Sequence, residues 1–343
     1  MIGTVGLNLP IISMRFLVVS YAFLPSLGGQ ETASLMLAEE LVRRGHQVDL
    51  VTATPDGLKP DLPFAVHHRP SPWQLLALHA RADAVIHNGF SLRFAWPLLL
   101  RPLLLARRRW LVVHQTYLPR RFLHRLAARL ARNVAISKAV AATVPAPSVI
   151  VPNAYRDALF ACANDGARDY DIAFAGRLVS DKGVLLLLQA LQRLKAEGRA
   201  PRSIVIGRGE EEAALRDFAA AHGLAVEFAG PKFGGELAGL LNRARILAVP
   251  SLWAEPFGIV ALEGIACGCV VIGSAGGGLP DAIGPCGLTF PNGDVDALAD
   301  AIKRLLDESA LVERCRAAAP AHLARHTPRA IVERYLQLLG FTA

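Results

Sequence analysis

Two glutamates eight positions apart, Glu255 and Glu263, enclose the segment Glu255-Pro256-Phe257-Gly258-Ile259-Val260-Ala261-Leu262-Glu263. Leu247 to Pro250 reads as the end of a buried strand, and Gly258 to Ala266 reads as a helix, so Glu255 falls in the loop between them. The amides of Phe257, Gly258 and Ile259 then lie at a helix N-terminus, where N–H groups and the helix dipole favour an anion such as a phosphate. Glu263 follows Gly258 by five residues, about 7.5 Å along the axis at ~1.5 Å per residue. From there its carboxylate can accept hydrogen bonds from a ribose diol, while Glu255 can accept them from sugar hydroxyls. Taken alone, the pair is equally a capping glutamate and a surface glutamate.

Other loops repeat the same chemistry. Gly176-Arg177-Leu-Val-Ser-Asp181-Lys182-Gly183 follows a strand and opens a helix, and its two cations suit a diphosphate without a metal. Gly207-Arg208-Gly209 follows the next strand and lacks the third glycine of a dinucleotide fingerprint, which disfavours an NAD enzyme. Gly28-Gly29 follows the first strand, and Gly276-Gly277-Gly278 a later one. His114 ends the strand that begins near Trp110. Asp169-Tyr-Asp171 and Asp294-Val-Asp296 match an Asp-x-Asp metal pattern. The first sits at the wrong end of a strand, and the second at a helix start, where Asp caps. No metal site is expected.

The elements that must position these residues alternate. Apolar runs at 15–20, 47–53, 64–68, 83–87, 110–113, 133–136 and 148–151 read as strands, with helical periodicity between several of them, first over Glu31 to Arg44. The alternation then restarts: strands at 171–175, 203–206, 225–229, 245–249, 269–273 and 287–290, and helices at 182–197, 210–221, 294–306 and 328–339. This predicts an α/β protein of two doubly wound, Rossmann-like domains facing a central cleft, each with a parallel sheet between helices. The boundaries read as a leader at 1–13, a first domain at 14–160, a second at 161–325, and a final helix, 326–343, returning to the first.

Composition is consistent with buried parallel strands: 343 residues are 52% hydrophobic and 19% charged. The +8 net charge is unevenly spread. Residues 1–157 hold 18 Lys/Arg against 8 Asp/Glu, and the remainder nets −2. Nine arginines and no acidic residue fall within 101–132, interleaved with Leu, Phe and Trp. An amphipathic basic helix over Pro119 to Leu130 would lie on an anionic bilayer surface; a solvated face and nucleic acid are the competing readings, and no nucleic-acid motif accompanies the charge. The five cysteines, Cys162, Cys267, Cys269, Cys286 and Cys315, include no C-x-x-C pair and read as buried apolar residues of a reducing compartment. No stretch is apolar for the ~20 residues a membrane span requires.

The order and spacing of Gly28-Gly29, Gly-Arg…Lys-Gly at 176–183, Gly207-x-Gly209, Glu-x7-Glu at 255–263 and the glycines at 276–278 resemble family four of the glycosyltransferases. The resemblance covers nearly all of residues 14–340 and is strongest over 170–310. It implies the GT-B fold and a retaining, metal-independent hexosyl transfer from a UDP- or GDP-linked sugar, a co-substrate rather than a cofactor. The acceptor it implies is lipid-linked or another glycan, in bacterial surface polysaccharide or glycolipid synthesis. Residue by residue, Arg177 and Lys182 would bind the diphosphate, with Gly28, Gly29, Gly207, Gly209, Phe257, Gly258 and Ile259 around the donor. Glu263 would hold the ribose, Glu255 the donor sugar, and His114 would lie near the reacting carbon. Pro152-Asn153-Ala154-Tyr155-Arg156 replaces the commoner Asn-Gly-Val-Asp before the linker. A sugar-nucleotide epimerase and a non-catalytic binding protein are the alternatives on the same fold. The expected setting is the cytoplasm, with peripheral contact at the inner face of the membrane.

Overall fold

The computed structural model describes all residues except 1–12, 26–27, 58–60, 101–108, 119–125, 127, 164–167 and 342–343. Two parallel sheets carry the chain. The first comprises β1 (Arg15–Ser20), β2 (Gln47–Thr52), β3 (Ala65–His68), β4 (Ala84–Asn88), β5 (Arg109–His114), β6 (Arg132–Ala135) and β7 (Ser148–Ile150), in the order β3-β2-β1-β4-β5-β6-β7. The second comprises β8 (Tyr170–Ala175), β9 (Ser203–Ile206), β10 (Val226–Gly230), β11 (Ala244–Val249), β12 (Val270–Ser274) and β13 (Gly287–Phe290), in the order β10-β9-β8-β11-β12-β13. In both, the opening strand lies inside the sheet and the order reverses beside it, at β1/β4 and at β8/β11. Such switch points are where doubly wound sheets bind ligands, beyond the strands' carboxyl ends.

The central strands form where the sequence is mostly apolar, because both sheet faces are covered there. β4 is buried at all five positions, and β11 at five of six. Helices that pack against the second sheet keep one face apolar: Val184–Ala196 buries Val184, Leu187, Leu188, Leu191 and Leu194. Two helices lack a clear sequence signal. Gly234–Asn242 holds three glycines, poor helix formers, and Ser309–Leu323 contains Pro320. Among the described residues no helix is long and apolar enough to cross a membrane. The segments 1–12, 101–108 and most of 119–127 lie outside the described residues. They hold most of the expected leader and most of the expected basic membrane helix.

Contacts divide the chain into two compact units: Met1–Val113 with Arg120–Asn133 and Tyr335–Ala343, and His114–Pro119 with Val134–Arg334. Residues 114–119 and 134–160 thus group with the second sheet. Local bonds give the reason: Tyr117 hydrogen-bonds Glu255 O at 3.3 Å, and Lys138 N–H donates to Asp281 Oδ2 at 2.8 Å. In the first unit the chain's end packs on β1 and β5, with Phe341 5.9 Å from the Phe16 ring and under the Arg109 guanidinium.

The core of the first unit contains an uncommon feature. The rings of His79 and His87 each stack on Trp110, with centroids 5.0 and 5.6 Å away, and meet each other tilted at 5.8 Å, all buried. His79 Nδ1 meets Leu75 O at 2.7 Å, but His79 Nε2, both His87 nitrogens and Trp110 Nε1 have no hydrogen-bond partner among the described residues. Burial pushes His79 down to about 4 and His87 well below the usual histidine range. The unfolded chain therefore takes up protons below pH ~6.5 that the folded chain refuses, and stability is lost as pH falls from about 6.5 toward 4. For His79 alone the loss reaches about 3 kcal/mol at ~1.4 kcal/mol per pH unit. Urea midpoints measured at pH 7, 5.5 and 4.5 should decline steeply, and replacing His87 by Phe should flatten the decline. An unchanged slope would exclude His87 as a source.

Candidate functional site

The site is built where the loops after β8 and β11 meet, the switch point of the second sheet. After β8, the buried Leu178 pins the chain, a single turn over Ser180–Lys182 follows, and Gly183 opens the helix Val184–Ala196. Gly183 has φ +68, and a Cβ there would collide with Pro250 O, at the end of β11. Only glycine allows this approach, because both the conformation and the space exclude a side chain. Leu252 N–H then donates to Asp181 O at 2.9 Å, fastening the two loops together.

Fastened this way, the loops bring Lys182 to Glu255. Lys182 Nζ donates to Glu255 Oε1 at 2.8 Å and lies 5.8 Å from the Trp253 ring centre. Ser251 Oγ donates to the same carboxylate oxygen. Glu255 is only 7% exposed. A carboxylate at such depth is tolerable because it is paired and hydrogen-bonded. Its backbone is held just as firmly. Glu255 pairs with Gly277 in a lone parallel bridge, and its carbonyl accepts from Gly278 N–H at 2.6 Å and from the Tyr117 hydroxyl at 3.3 Å. The other carboxylate oxygen, Oε2, lies 3.6 Å from the point where a Cβ on Gly258 would stand. Glu255 thus keeps one oxygen for Lys182 and Ser251 and presents the second at the N-terminus of the helix Ile259–Ala266.

Gly258 is the N-cap of that helix. Phe257 contributes only backbone to the helix start: its ring is 2% exposed and stacks 6.1 Å from His326 in the interior. Ile259 is half-buried in the first turn. Glu263, just past the first turn, is half-buried. Burial pushes its carboxyl up to about 7, opposed by the nearby Arg156 charge.

Arg177 is exposed and makes no hydrogen bond or ion pair with the described residues, so its charge is available. Gly207 and Gly209 serve the loops directly. A Cβ on Gly207 would strike Gly176 O, and one on Gly209 would strike Leu178 O. These glycines let the loop after β9 lie against the loop that carries Arg177 and Lys182. His114, the last residue of β5, is 1% exposed.

Gly28 and Gly29 belong to the first unit, where Gly28 caps the helix Gly29–Arg43 beside the β1/β4 switch point. Gln30 Nε2 donates to Asn88 O at 3.0 Å, Asn88 Nδ2 to Ser34 Oγ at 2.7 Å, and Ser34 Oγ to Ser20 Oγ at 2.8 Å. The ends of β1 and β4 are thereby tied to the start of that helix.

Three residues absent from the sequence expectation hold the second site in shape: Ser251, Tyr117 and Asn292. Asn292 Oδ1 accepts from Gly276 N–H at 2.7 Å while its Nδ2 donates to Ser251 O at 3.1 Å, joining the loops after β11, β12 and β13. Asp294 caps the helix Val295–Asp307, accepting from Ala297 N–H at 2.9 Å, and Asp169 pairs with Arg243. Among the described residues no three His, Cys, Asp or Glu gather as metal ligands. One expectation is corrected. Four cysteines are buried, but Cys162 is exposed, because it lies in the connection between the sheets, outside any strand or helix.

The family model "Glycosyl transferases group 1" matches residues 160–322, the stretch that contains this geometry. Residues 160–322 are a glycosyl transferases group 1 domain. Curated relatives of the group 1 domain include the glycogen synthase of Mycobacterium tuberculosis (strain ATCC 25618 / H37Rv), 36% identical over 157 residues, covering 45% of this chain and 38% of that protein. The D-inositol 3-phosphate glycosyltransferase of Stackebrandtia nassauensis is 37% identical over 169 residues, covering 46% and 38%. A GDP-mannose-dependent monoacylated alpha-(1-6)-phosphatidylinositol monomannoside mannosyltransferase of Corynebacterium glutamicum is 33% identical over 159 residues, covering 44% and 42%. The matched part spans about two fifths of the length of these relatives. Solved structures are similar over nearly the whole chain. HepE of Anabaena in complex with UDP has a TM-score of 0.79 at 17% identity, covering 96% of this chain and all of that one. A glycosyltransferase from Rickettsia africae has 0.78 at 17% identity, covering 96% and 98%. At these identities the likeness shows the fold, which is GT-B, and the group 1 domain is its second Rossmann-like half.

Proposed function

We propose that the chain is a retaining, metal-independent hexosyltransferase that takes its sugar from a UDP- or GDP-linked donor. The observation that carries this reading is the pairing of Lys182 with the buried Glu255 beside the N-terminus of a helix that also bears Glu263. A nucleoside diphosphate sugar needs a cationic and N–H-rich place for two phosphates, an acceptor for ribose hydroxyls and another for sugar hydroxyls. Arg177, Lys182 and the amides at 257–259 supply the first, Glu263 the second and Glu255 Oε2 the third. In that reading His114 lies near the reacting carbon. The acceptor hydroxyl attacks from the face the leaving phosphate occupies, the C–O bond to phosphate breaks, and the phosphate oxygen takes the acceptor's proton. Such a displacement requires no protein nucleophile, and the two cations offset the charge that develops on the leaving diphosphate.

One relative is named as GDP-mannose-dependent, and one solved neighbour is a complex with UDP-glucose. A lipid-linked or other glycan acceptor, in bacterial surface polysaccharide or glycolipid synthesis, fits the uneven charge of the sequence. On this reading the enzyme works in the cytoplasm, with the arginines of 101–132 set against an anionic inner membrane face. The test is a panel of UDP-, GDP- and ADP-sugars scored by thermal shift and by slow donor hydrolysis, combined with flotation on vesicles with and without anionic lipid. One nucleotide class should stabilise the protein and be hydrolysed, and only anionic vesicles should carry it. No response to any donor would sink the transferase reading; donor turnover that moves the sugar's configuration without an acceptor would favour an epimerase.

A further inference from the structure

Glu255 and a donor's diphosphate need the same cation. Lys182 Nζ sits 2.8 Å from Glu255 Oε1, with side-chain exposures of 21% for the lysine and 9% for the glutamate. Glu255 has one cationic partner among the described residues, and Ser251 Oγ supplies the other donor to the same oxygen. An ammonium is a compact charge on a flexible stem, able to swing from one anion to another. When it leaves, the carboxylate remains buried with its negative charge uncompensated, which is costly unless new donors arrive.

We propose that Glu255 competes with the nucleotide's diphosphate for Lys182, and that this competition expels the nucleoside diphosphate once the sugar has been transferred. The inference rests on the donor-site reading above. With the intact donor bound, the sugar's hydroxyls donate to Glu255 and replace the lysine, so the diphosphate keeps Lys182. When the sugar departs with the acceptor, those donors go with it. Glu255 is then left buried with Ser251 alone, and the ion pair with Lys182 re-forms at the diphosphate's expense. Glu255 thus has opposite effects on donor and product: it holds the nucleotide that bears a sugar and weakens the hold on the one that does not. A carboxylate whose sole task is to bind sugar hydroxyls would leave the affinity for a bare nucleoside diphosphate unchanged.

Glu255→Gln keeps the shape and the hydrogen-bonding length of the side chain and removes the charge. UDP, GDP and ADP are titrated calorimetrically into the parent to find the one that binds, and the same nucleotide is then titrated into Glu255→Gln, Lys182→Ala and the double variant. Glu255→Gln should bind the bare nucleotide about tenfold more tightly, in keeping with the coupling of close charge pairs. That gain should vanish between Lys182→Ala and the double variant. An equal gain in both backgrounds would mean general repulsion by a negative charge and would overturn the competition, as would no gain in the parent background. Should Lys182→Ala fail to fold, Lys182→Met takes its place and stopped-flow release of a fluorescent nucleoside diphosphate is compared: release about tenfold slower from Glu255→Gln than from the parent, with no slowing in the Lys182→Met background, is expected, and equal rates or equal slowing in both backgrounds overturn the proposal. Failure of every nucleotide to bind the parent would instead remove the donor-site reading on which this rests.

Discussion

Gly207→Ala should destabilise the protein by about 4 kcal/mol and abolish nucleotide binding together with it. Two independent costs add. Gly207 has φ +148, a region of backbone space that is essentially restricted to glycine and costs a side-chain-bearing residue ~1–3 kcal/mol. The added methyl also falls on Gly176 O, a backbone atom that cannot rotate away, and overpacking of this kind costs a further ~1–3 kcal/mol. Relief requires the loop after β9 to move off the loop after β8, and that second loop carries Arg177 and Lys182. Gly209→Ala meets Leu178 O in the same way but has no positive φ, so it carries the overpacking cost alone and should be destabilised by about half as much. Gly235→Ala is the control, since nothing lies within 4 Å of a Cβ there and the residue sits in a helical first turn. It should be neutral or slightly stabilising. Urea denaturation of the three variants, with the nucleotide's thermal shift measured in parallel, checks the ranking. A Gly207→Ala protein as stable as the control would show that the two loops do not touch at Gly176.

The same glycines show what can be read in a sequence. A G-x-G after an apolar run is visible as a turn that approaches something closely, but not what it approaches. Here it approaches another stretch of backbone as well as the place assigned to a donor. The strands were visible because parallel strands covered on both faces are mostly apolar, as β4, β8 and β11 are apart from His87, Asn88, Asp171 and Arg245. Glu255 and Glu263 were visible because a loop-and-helix junction gives their spacing a geometric meaning. Ser251, Asn292 and Tyr117 were not. Tyr117 meets Glu255 from 138 positions away, and Asn292 meets Ser251 from 41. Ordinary polar residues in loops carry no periodicity, so nothing local marks them as supports. The helix Gly234–Asn242 was hidden for a different reason, since glycines at 234, 235 and 239 cancel its propensity and tertiary packing restores it. Cys162 was misplaced because cysteines are usually buried, and this one lies in a connection rather than an element.

Glu263→Gln should make the empty protein more stable and the nucleotide weaker-bound, and both effects should depend on pH. Burial raises the Glu263 carboxyl to about 7 in the folded chain, against ~4.5 when unfolded. A raised acid gives stability that is fully present below the unfolded value and is lost as pH rises through the folded one. Between pH ~4.5 and 7 the folded protein holds a proton that the unfolded chain releases, so ionising the group costs the native state about 3 kcal/mol by pH 8. Glutamine carries no such cost. The variant's advantage in urea should therefore be about 3 kcal/mol at pH 8, smaller at pH 6 and absent at pH 4.5. The titrating histidines are common to both proteins and cancel in the difference. Ribose hydroxyls donate best to the ionised carboxylate, so a donor that binds there must draw the proton off. Parent affinity should then rise between pH 6 and 8, with protons released that calorimetry in buffers of different ionisation enthalpy can count. Glu263→Gln should release none at this position, and should bind roughly tenfold or more weakly at pH 8, the worth of a hydrogen bond to a charged group. A stability difference that is flat with pH would remove the buried carboxyl. A variant whose affinity and proton release match the parent's would remove its ribose role. A residue that weakens the empty fold and strengthens the complex is one whose presence packing alone does not explain.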